Sequence, residues 1–250
     1  TWVTTLSIKA LGNDIDNVLS KREIENLRNH LLRLQYTSVH PFNGASPGGW
    51  GWTSYSGSVP DADDTPGAIL ALLMLFSGEK AEVTAIENGC RWLTGLQNSD
   101  GGFPTFCRGW GKLPFDRSCA DLTGHALLAL LKSVEILHDE MDKKLLAEID
   151  RSISKAMLYL EKHQSGDGSW LPLWFGNQLT DDKTNPVYGT AKVCIYLKDT
   201  FGLEGPGKKY LNRIEKMVRK AEGFLIDQQN SDGSWGGKKG IEASFEETSL

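Results

Sequence analysis

The chain has 250 residues, of which 40% are apolar and 24% are charged. These proportions are those of a globular protein with a sizeable core, and they exclude a disordered or collagen-like chain. The 27 Lys and Arg residues are outnumbered by 32 Asp and Glu residues, so the formal net charge is −5 at pH 7. Because nucleic-acid binding needs a basic surface that displaces counterions, this charge argues against a nucleic-acid partner.

Hydropathy and cysteine content indicate the compartment. The sequence has no run of about 18 apolar residues, so a membrane-spanning helix is not expected. The four cysteines have no Cys-Xaa-Xaa-Cys spacing and are predicted to be reduced thiols of a cytoplasmic protein. The chain starts without Met at Thr1 and stops at Leu250 in a helix-like stretch. We therefore expect it to be a piece of a longer chain.

A motif of the form Gln…Asp-Gly-Xaa-Trp/Phe recurs along the chain. A weak first copy is Gly48-Gly49-Trp50, and full copies cover residues 97–103, 164–170 and 229–235. Their Asp-Gly pairs start at 100, 167 and 232, which gives intervals of 67 and 65 residues. Each Gln closes a predicted helix, and Asp-Gly then turns the chain because Gly accepts a positive φ. We interpret the motifs as structural braces, with the Gln amide bonding helix ends and the aromatic ring filling the gap between repeats.

Two kinds of helix alternate around these motifs. Residues 1–11, 66–76, 123–137 and 189–197 are predicted to be helices that are apolar nearly all round and therefore buried. The helices that precede the motifs, such as residues 143–162, carry a charged face. This alternation at a fixed period predicts an all-α fold, an α/α toroid of repeated helix pairs with an inner and an outer ring. The ring in this chain is expected to be incomplete.

Three carboxylates stand directly before an inner helix, at Asp61, Asp63 and Asp64, with Thr65 and Pro66 following. Helix capping accounts for one carboxylate, by Asp64 or by Thr65 in its place, with Pro66 in the first turn. An inner helix of a toroid begins at the mouth of the central cavity. Because crowded carboxylates cannot all ionise, at least one is expected to be protonated. A neutral acid surrounded by groups that stabilise its conjugate base is a strong proton donor, as protonation of an alkene requires.

A second constellation occupies the equivalent place one repeat later. Asp121 follows Asp63 by 58 residues, and His125 stands four residues further on the same helix face. An isolated His in an apolar helix is more often a core residue than a catalytic one. Here its equivalence to the aspartate triplet favours catalysis.

Aromatic residues are concentrated in the loops between outer and inner helices. Two interpretations stay open for them, namely packing of the loops and a cavity whose ring faces stabilise cations. The residues concerned are Trp50, Trp52, Tyr55, Phe103, Phe106, Trp110, Phe115, Trp170, Trp174, Phe175 and Tyr188.

Together these motifs resemble the class II terpene cyclases, and within them the squalene–hopene cyclases, over essentially all 250 residues. Asp61-Ala62-Asp63-Asp64-Thr65 resembles the family's Asp-Xaa-Asp-Asp-Thr acid motif, and the repeats resemble its QW motifs. Residues 48–52, 121–125 and 167–190, the last ending in Tyr188-Gly189-Thr190, resemble further family segments in the same order.

The resemblance implies a role for each candidate. Asp63 is the general acid, Asp61 and Asp64 hold charge around it, and His125 bonds it with support from Asp121. Tyr188 lies near the acid, in a water network that returns its proton. Trp52, Phe106 and Trp174 are the cavity-lining, substrate-binding aromatics, with Trp50, Phe103 and Trp110 as further members of that set.

The resemblance also implies an activity and a setting. The activity is proton-initiated cyclisation of a linear polyprenyl substrate, such as squalene, to a polycyclic triterpene. The family uses no metal or other cofactor for this step. Residues 1–250 correspond to the acid-bearing barrel of a two-barrel chain, which is cytoplasmic and associates peripherally with the inner membrane. The resemblance leaves the oligomeric state open.

Two alternatives remain at this stage. A class II diterpene-type cyclase acting on a prenyl diphosphate would use cations such as Arg108, Lys112 and Arg117, which are otherwise solvated loop charges. A non-catalytic helical-repeat scaffold explains the repeats but leaves the three acids and His125 without a purpose.

Overall fold

Long helices joined by irregular loops make up most of the chain in a computed structural model, which describes residues 1–109 and 114–250. The helices are α1 (Trp2–Leu11), α2 (Ile15–Val18), α3 (Lys21–Leu34), α4 (Asp64–Met74), α5 (Lys80–Leu96), α6 (Ala120–Leu137), α7 (Lys143–His163), α8 (Pro186–Lys198), α9 (Leu211–Asp227) and α10 (Phe245–Thr248). Short 3₁₀ turns cover Gly12–Asp14, Pro114–Asp116 and Pro206–Tyr210. Two two-residue strands, β1 (Phe103–Pro104) and β2 (Ser118–Cys119), pair antiparallel.

The helices form an inner and an outer set, as an α/α toroid requires. Inner helix α4 packs between α1 and α6, and α6 in turn packs between α4 and α8. Nearly every residue of α6 is buried, whereas outer helix α9 buries a single stripe that includes Ile214, Met217 and Ala221. Helices α5, α7 and α9 pack outside α4, α6 and α8 respectively. The predicted all-α toroid is confirmed.

The inner helices begin earlier than their apolar stretches indicate. Helix α4 begins at Asp64, α6 at Ala120 and α8 at Pro186, two or three residues before the predicted starts at 66, 123 and 189. The polar residues of the two candidate constellations therefore lie in or beside first helical turns. In the outer set, α3 begins with a capping box in which the backbone N–H of Ser20 donates to the Glu23 carboxylate at 2.8 Å.

The motif glutamines Gln97 and Gln164 each link their own turn to the next outer helix. The side-chain amide of Gln164 donates to the carbonyl of Gly168 at 3.0 Å and to the carbonyl of Met217 in α9 at 2.9 Å. Gln97 makes the same pair of bonds to Gly101 and to Ser152 in α7. These bonds brace neighbouring repeats, as the sequence predicts.

The motif aromatic residue is held between two helices. The indole N–H of Trp170 donates to the carbonyl of Leu160 at 2.9 Å, and its backbone N–H donates to the Thr190 hydroxyl, also at 2.9 Å. The corresponding backbone bonds of the other copies join Trp50 to Thr65, Phe103 to Thr123 and Trp235 to Thr248. These threonines, which we call the bracing threonines, mark equivalent positions of the repeat in α4, α6, α8 and α10.

Candidate active site

A cavity of about 510 Å³ lies among α1, α4, α6 and α8. Its apolar wall is formed mainly by side chains of α1, α4 and α6, among them Leu6, Leu70 and Leu128. Its ionisable groups come from all of these helices and the residues beside them: Lys9, Asp63, Asp121, His125, Lys132, Tyr188, Lys192, Tyr196 and Asp199. The cavity is thus lined by apolar side chains and by charged groups.

Asp63 and His125 form a hydrogen-bonded pair on the cavity wall. Nδ1 of His125 lies 2.9 Å from Oδ1 of Asp63. Asp63 immediately precedes α4, and His125 lies in the second turn of α6, so the contact depends on how these two inner helices pack. The His125 side chain is 11% exposed, whereas that of Asp63 is 44% exposed. The carboxyl of Asp63 therefore faces open space while its partner is fixed in the wall.

Opposing influences act on the pKa values of this pair. Burial acts to raise the pKa of Asp63. The net pKa nevertheless lies below its usual value, because Asp63 accepts a hydrogen bond from His125 and is near the charges of His125, Lys192 and Lys9. The large exposed fraction of Asp63 supports this direction, because burial penalises a carboxylate less when it faces open space. Burial lowers the pKa of His125, and the bond to Asp63 opposes that effect. Once protonated, Asp63 is therefore a stronger acid than an ordinary aspartic acid.

Asp61 and Asp64 have a different environment. One carboxylate oxygen of Asp61 accepts the backbone N–H groups of Asp63 at 2.9 Å and of Asp64 at 2.7 Å, so Asp61 caps the first turn of α4. The expectation that Asp64 or Thr65 is the cap was wrong, because the helix begins earlier than its apolar pattern indicates. Burial raises the pKa of Asp61 well above its usual value and that of Asp64 to about 6. Among the three crowded carboxyl groups, Asp61 and Asp64 therefore favour the protonated form. Asp63 differs from them, because its pKa is lowered and its ionised form is favoured.

Asp121 and Tyr188 both reach the cavity, at repeat positions equivalent to Asp63. Each of the three stands two residues before a bracing threonine, which places them at the same level of their inner helices. The Asp121 carboxylate accepts a hydrogen bond from the Cys119 thiol, and no hydrogen bond among the described residues joins it to His125. Among the described residues, Asp121 thus does not support His125 directly by a hydrogen bond. Tyr188 is half-buried and packs 4.7 Å from the ring of Phe175.

The predicted cavity aromatics of the loops lie elsewhere. Phe106 and Trp174 form a ring cluster with Phe115, with centroids 4.7 to 5.7 Å apart, and this cluster is not part of the cavity wall. The carbonyl of Phe106 accepts the backbone N–H of Ala62 at 2.7 Å, so the cluster is tied to the acid motif. Trp52 is 63% exposed and lies away from the wall.

Trp50 and Phe103 are core residues in this structure, which corrects their prediction as substrate-binding residues. Both side chains are fully buried, because the bonds of each motif turn the ring inward between helices. Trp110 and Lys112, which were also predicted to bind substrate or its diphosphate, lie outside the described residues. Arg108 and Arg117 are exposed, and neither lines the cavity.

Sequence reasoning missed several residues of the wall. Trp2 of α1 is one of them, whereas Phe175, which also lines the cavity, belongs to the loop aromatics named from the sequence. Lys192 also lines it, two residues after bracing Thr190, just as His125 stands two residues after Thr123. Alignment of the repeats on their threonines was the signal that could have found it.

Two further searches bear on the described part of the chain. No helix there is long and apolar enough to cross a membrane. Within the same residues, no three His, Cys, Asp or Glu side chains converge as metal ligands do.

Comparison with solved structures gives a fold relative. A family 10 polysaccharide lyase from Cellvibrio cellulosa superposes with a TM-score of 0.54 at 16% identity, over 83% of this chain and 68% of the lyase chain. At this level of identity the likeness concerns the fold alone.

Sequence comparison gives relatives at 26–28% identity. They include enfumafungin synthase of Hormonema carpetanum (28% identical over 94% of this chain and 18% of the relative) and a squalene–hopene cyclase of Bradyrhizobium diazoefficiens (26%, over 94% and 34%). A squalene hopane cyclase of Aspergillus fumigatus is 28% identical over 76% of this chain and 28% of its own length. The chain thus spans about a third or less of these curated relatives. The family model of the squalene–hopene cyclase C-terminal domain matches residues 1–250, and the chain belongs to that family.

Proposed function

We propose that this chain is the acid-bearing barrel of a class II terpene cyclase in which Asp63 protonates a terminal alkene of a linear polyprenyl substrate such as squalene. The observation that carries the proposal is the Asp63–His125 pair, which lies on the wall of a cavity with an apolar side. Membership of the squalene–hopene cyclase family supports the same reaction class.

The reaction begins with a protonated Asp63. Substrate that covers the exposed face of this side chain removes water from it, and this desolvation favours the neutral carboxylic acid. The alkene π electrons then take the proton, and a tertiary carbocation forms while Asp63 becomes a carboxylate. His125 holds that carboxylate by a hydrogen bond, which stabilises the conjugate base as charge develops.

Ring closure follows from the folding of the substrate in the cavity. Each successive alkene attacks the cation, so a new carbon–carbon bond forms and the positive charge moves along the chain. Proximity of the folded alkenes lowers the entropic cost of each step. Phe175, Tyr188 and Trp2 present rings to the cavity, and ring faces stabilise passing carbocations. We assign Tyr188 to the water network that returns a proton to Asp63.

The setting of the reaction belongs to the same proposal. A second barrel completes the cavity, in line with the greater length of the relatives and the description of the matched family as a C-terminal domain. The enzyme works in the cytoplasm without a cofactor and receives its apolar substrate while peripherally associated with the inner membrane.

A prenyl diphosphate is the second candidate substrate. Lys132 lines the same cavity two helical turns beyond His125 on α6, about 10 Å along the helix axis. A cation at that distance from the acid favours an anionic group inside the cavity. A non-catalytic scaffold, by contrast, leaves the Asp63–His125 pair without a role.

The test is a paired incubation of the full-length protein with squalene and with geranylgeranyl diphosphate in mild detergent. Products are extracted and identified by mass spectrometry for the parent protein and its Asp63→Asn variant. A cyclic isomer or hydrate of one substrate, made by the parent and absent with the folded variant, supports the proposal and selects the substrate class. Equal product from parent and variant overturns the role of Asp63, and turnover of neither substrate counts against the function.

A further inference from the structure

His125 is stacked on a buried tyrosine that the acid motif does not include. The rings of His125 and Tyr196 have centroids 4.5 Å apart and are inclined by only 8°. Tyr196 is 5% exposed, so its ring is fixed by the surrounding helices. This stack sets the plane of the imidazole and hence the direction in which Nδ1 meets Asp63.

Two ammonium groups approach the same tyrosine ring. Nζ of Lys9 lies 5.0 Å from the Tyr196 centroid, and Nζ of Lys192 lies 5.4 Å from it. Both distances are within the range of cation–π attraction, and both lysines line the cavity. One aromatic ring therefore stands in contact with the histidine of the acid pair and with two positive charges.

The repeat explains why Lys192 is at this level of the cavity. His125, Lys192 and Gly67 each stand two residues after a bracing threonine, on adjacent inner helices. A Cβ atom on Gly67 would lie only 3.7 Å from Cε1 of His125. Three helices thus supply an imidazole, an ammonium group and a position without a side chain in one layer next to the acid.

The other charged groups that face this layer come from every inner helix around it. Helix α1 supplies Lys9, α6 supplies Asp121 and Lys132, and α8 supplies Lys192 together with the hydroxyl of Tyr188, while Asp63 precedes α4 and Asp199 follows α8. Lys9 is paired with Asp199 at 3.7 Å. Among the described residues, Lys192 has no ion-pair partner of its own. Of the two lysines that approach Tyr196, Lys192 is therefore the one whose charge is not compensated by an ion pair among the described residues.

We propose that Lys192 is a positioning residue that, together with Tyr196, sets the proton-donating strength of Asp63 through His125. The positive charge of Lys192 stabilises the Asp63 carboxylate that remains after proton transfer. The same charge disfavours protonation of the His125 imidazole, because that would place a second positive charge nearby. The lowered pKa of both groups, to which the charge of Lys192 contributes, agrees with this role. The inference rests on the proposed function for its catalytic part, whereas the coupling of Lys192 to His125 is independent of it.

The direct test is an NMR titration of the His125 ring in ¹³C-histidine-labelled full-length protein, assigned by the loss of its signal in His125→Gln. Lys192→Met removes the charge but keeps the length of the side chain, and we expect the pKa of His125 to rise by about one pH unit. Lys192→Arg keeps the charge and should hold the parent value. Lys132→Met is the matched control, because it removes a cation from the same cavity two turns away from His125, and its effect should be less than half as large.

The kinetic readout separates tuning from structural damage. A general acid works in its protonated form, so kcat falls as the pH rises through the pKa of Asp63 in the substrate complex. In Lys192→Met the pH at which kcat falls should move about one unit higher. The low-pH plateau of kcat should fall about 3- to 10-fold, and KM should change less than twofold. Tyr196→Phe keeps the ring and should stay close to the parent, whereas Tyr196→Leu should lose the stack and lower kcat.

Specific outcomes overturn the inference. The inference is contradicted if the pKa of His125 is unchanged in Lys192→Met. It is also contradicted if Lys132→Met shifts that pKa as much as Lys192→Met does, or if Lys192→Arg behaves like Lys192→Met. If the parent protein turns over no polyprenyl substrate, the proposed function fails, and the titration still decides the coupling.

Discussion

Nδ1 of His125 lies 2.9 Å from Oδ1 of Asp63 although 62 residues separate the two in the chain. The contact exists because α4 and α6 are adjacent inner helices whose first turns stand at the same end of the cavity. It joins a half-exposed carboxyl to an imidazole embedded in the wall. That geometry leads to the first prediction.

Replacement of His125 by Gln should lower kcat about 100-fold, because the Asp63 carboxylate loses the hydrogen bond and charge that stabilise it. His138→Gln is the control, since His138 lies on the surface with 51% of its side chain exposed. The measurement is initial rate of product formation, with circular dichroism to verify folding. Retention of kcat within twofold in folded His125→Gln would remove His125 from the mechanism.

The second prediction concerns the pH dependence of stability at Asp64. Its pKa is raised by burial to about 6, from an unfolded value near 4. The folded state therefore binds this proton more tightly, so the contribution of Asp64 to stability is fully present below about pH 4 and declines as the pH rises through about 6.

Asp64→Asn removes this dependence. Relative to the parent, the variant should gain about 1–3 kcal/mol of unfolding free energy between pH 4.5 and pH 7.5. Urea unfolding at several pH values measures it, with Asp139→Asn as control because that side chain is 97% exposed. A parallel pH profile for Asp64→Asn and the parent would show that the carboxyl is not perturbed.

The third prediction compares two copies of the same motif glutamine. Gln164 bonds the carbonyl of Gly168 in its own turn and that of Met217 in α9, whereas Gln229 has only the bond to Gly233 among the described residues. Gln164→Ala should cost about 1–3 kcal/mol, and Gln229→Ala less than about 1 kcal/mol. Equal losses in chemical denaturation would mean that the bond between repeats contributes nothing.

The fourth prediction separates backbone strain from overlap. Gly168 and Gly202 have φ values of 97° and 88°, both in the region that disfavours other residues. A Cβ atom on Gly168 would overlap the carbonyl oxygen of Lys220, whereas one on Gly202 would meet nothing within 4 Å. Gly168→Ala should therefore destabilise by more than about 3 kcal/mol and Gly202→Ala by about 1–2 kcal/mol. Thermal unfolding of the two variants measures the difference, and similar melting temperatures would refute it.

The helical repeat could be predicted from the sequence because it is a local pattern. Apolar runs such as residues 123–137, and the recurring Asp-Gly turns, reflect burial and turn geometry within a few residues. The acid motif and the equivalence of Asp63 with Asp121 were also visible, since they depend on spacing within one repeat. Helix starts were placed two or three residues too late, because first turns carry the polar residues of the site rather than apolar ones.

The composition of the cavity wall was decided by the tertiary structure. Trp50 and Phe103 share their loops with cavity candidates, yet backbone bonds to Thr65 and Thr123 turn their rings into the core. Whether a loop aromatic faces the core or the cavity depends on such bonds between segments.

The electrostatics around the acid were equally a matter of packing. Tyr196 and Lys192 lie more than 60 residues from His125 in the chain, and only the repeat alignment on Thr123 and Thr190 relates Lys192 to it. They reach it because α6 and α8 pack side by side. The sequence by itself determined the repeats, the helices and the acidic cluster, since local propensity and periodicity govern those. Only the tertiary structure decided which charges and rings share the cavity, because Coulomb interactions and stacking depend on distance in space rather than along the chain.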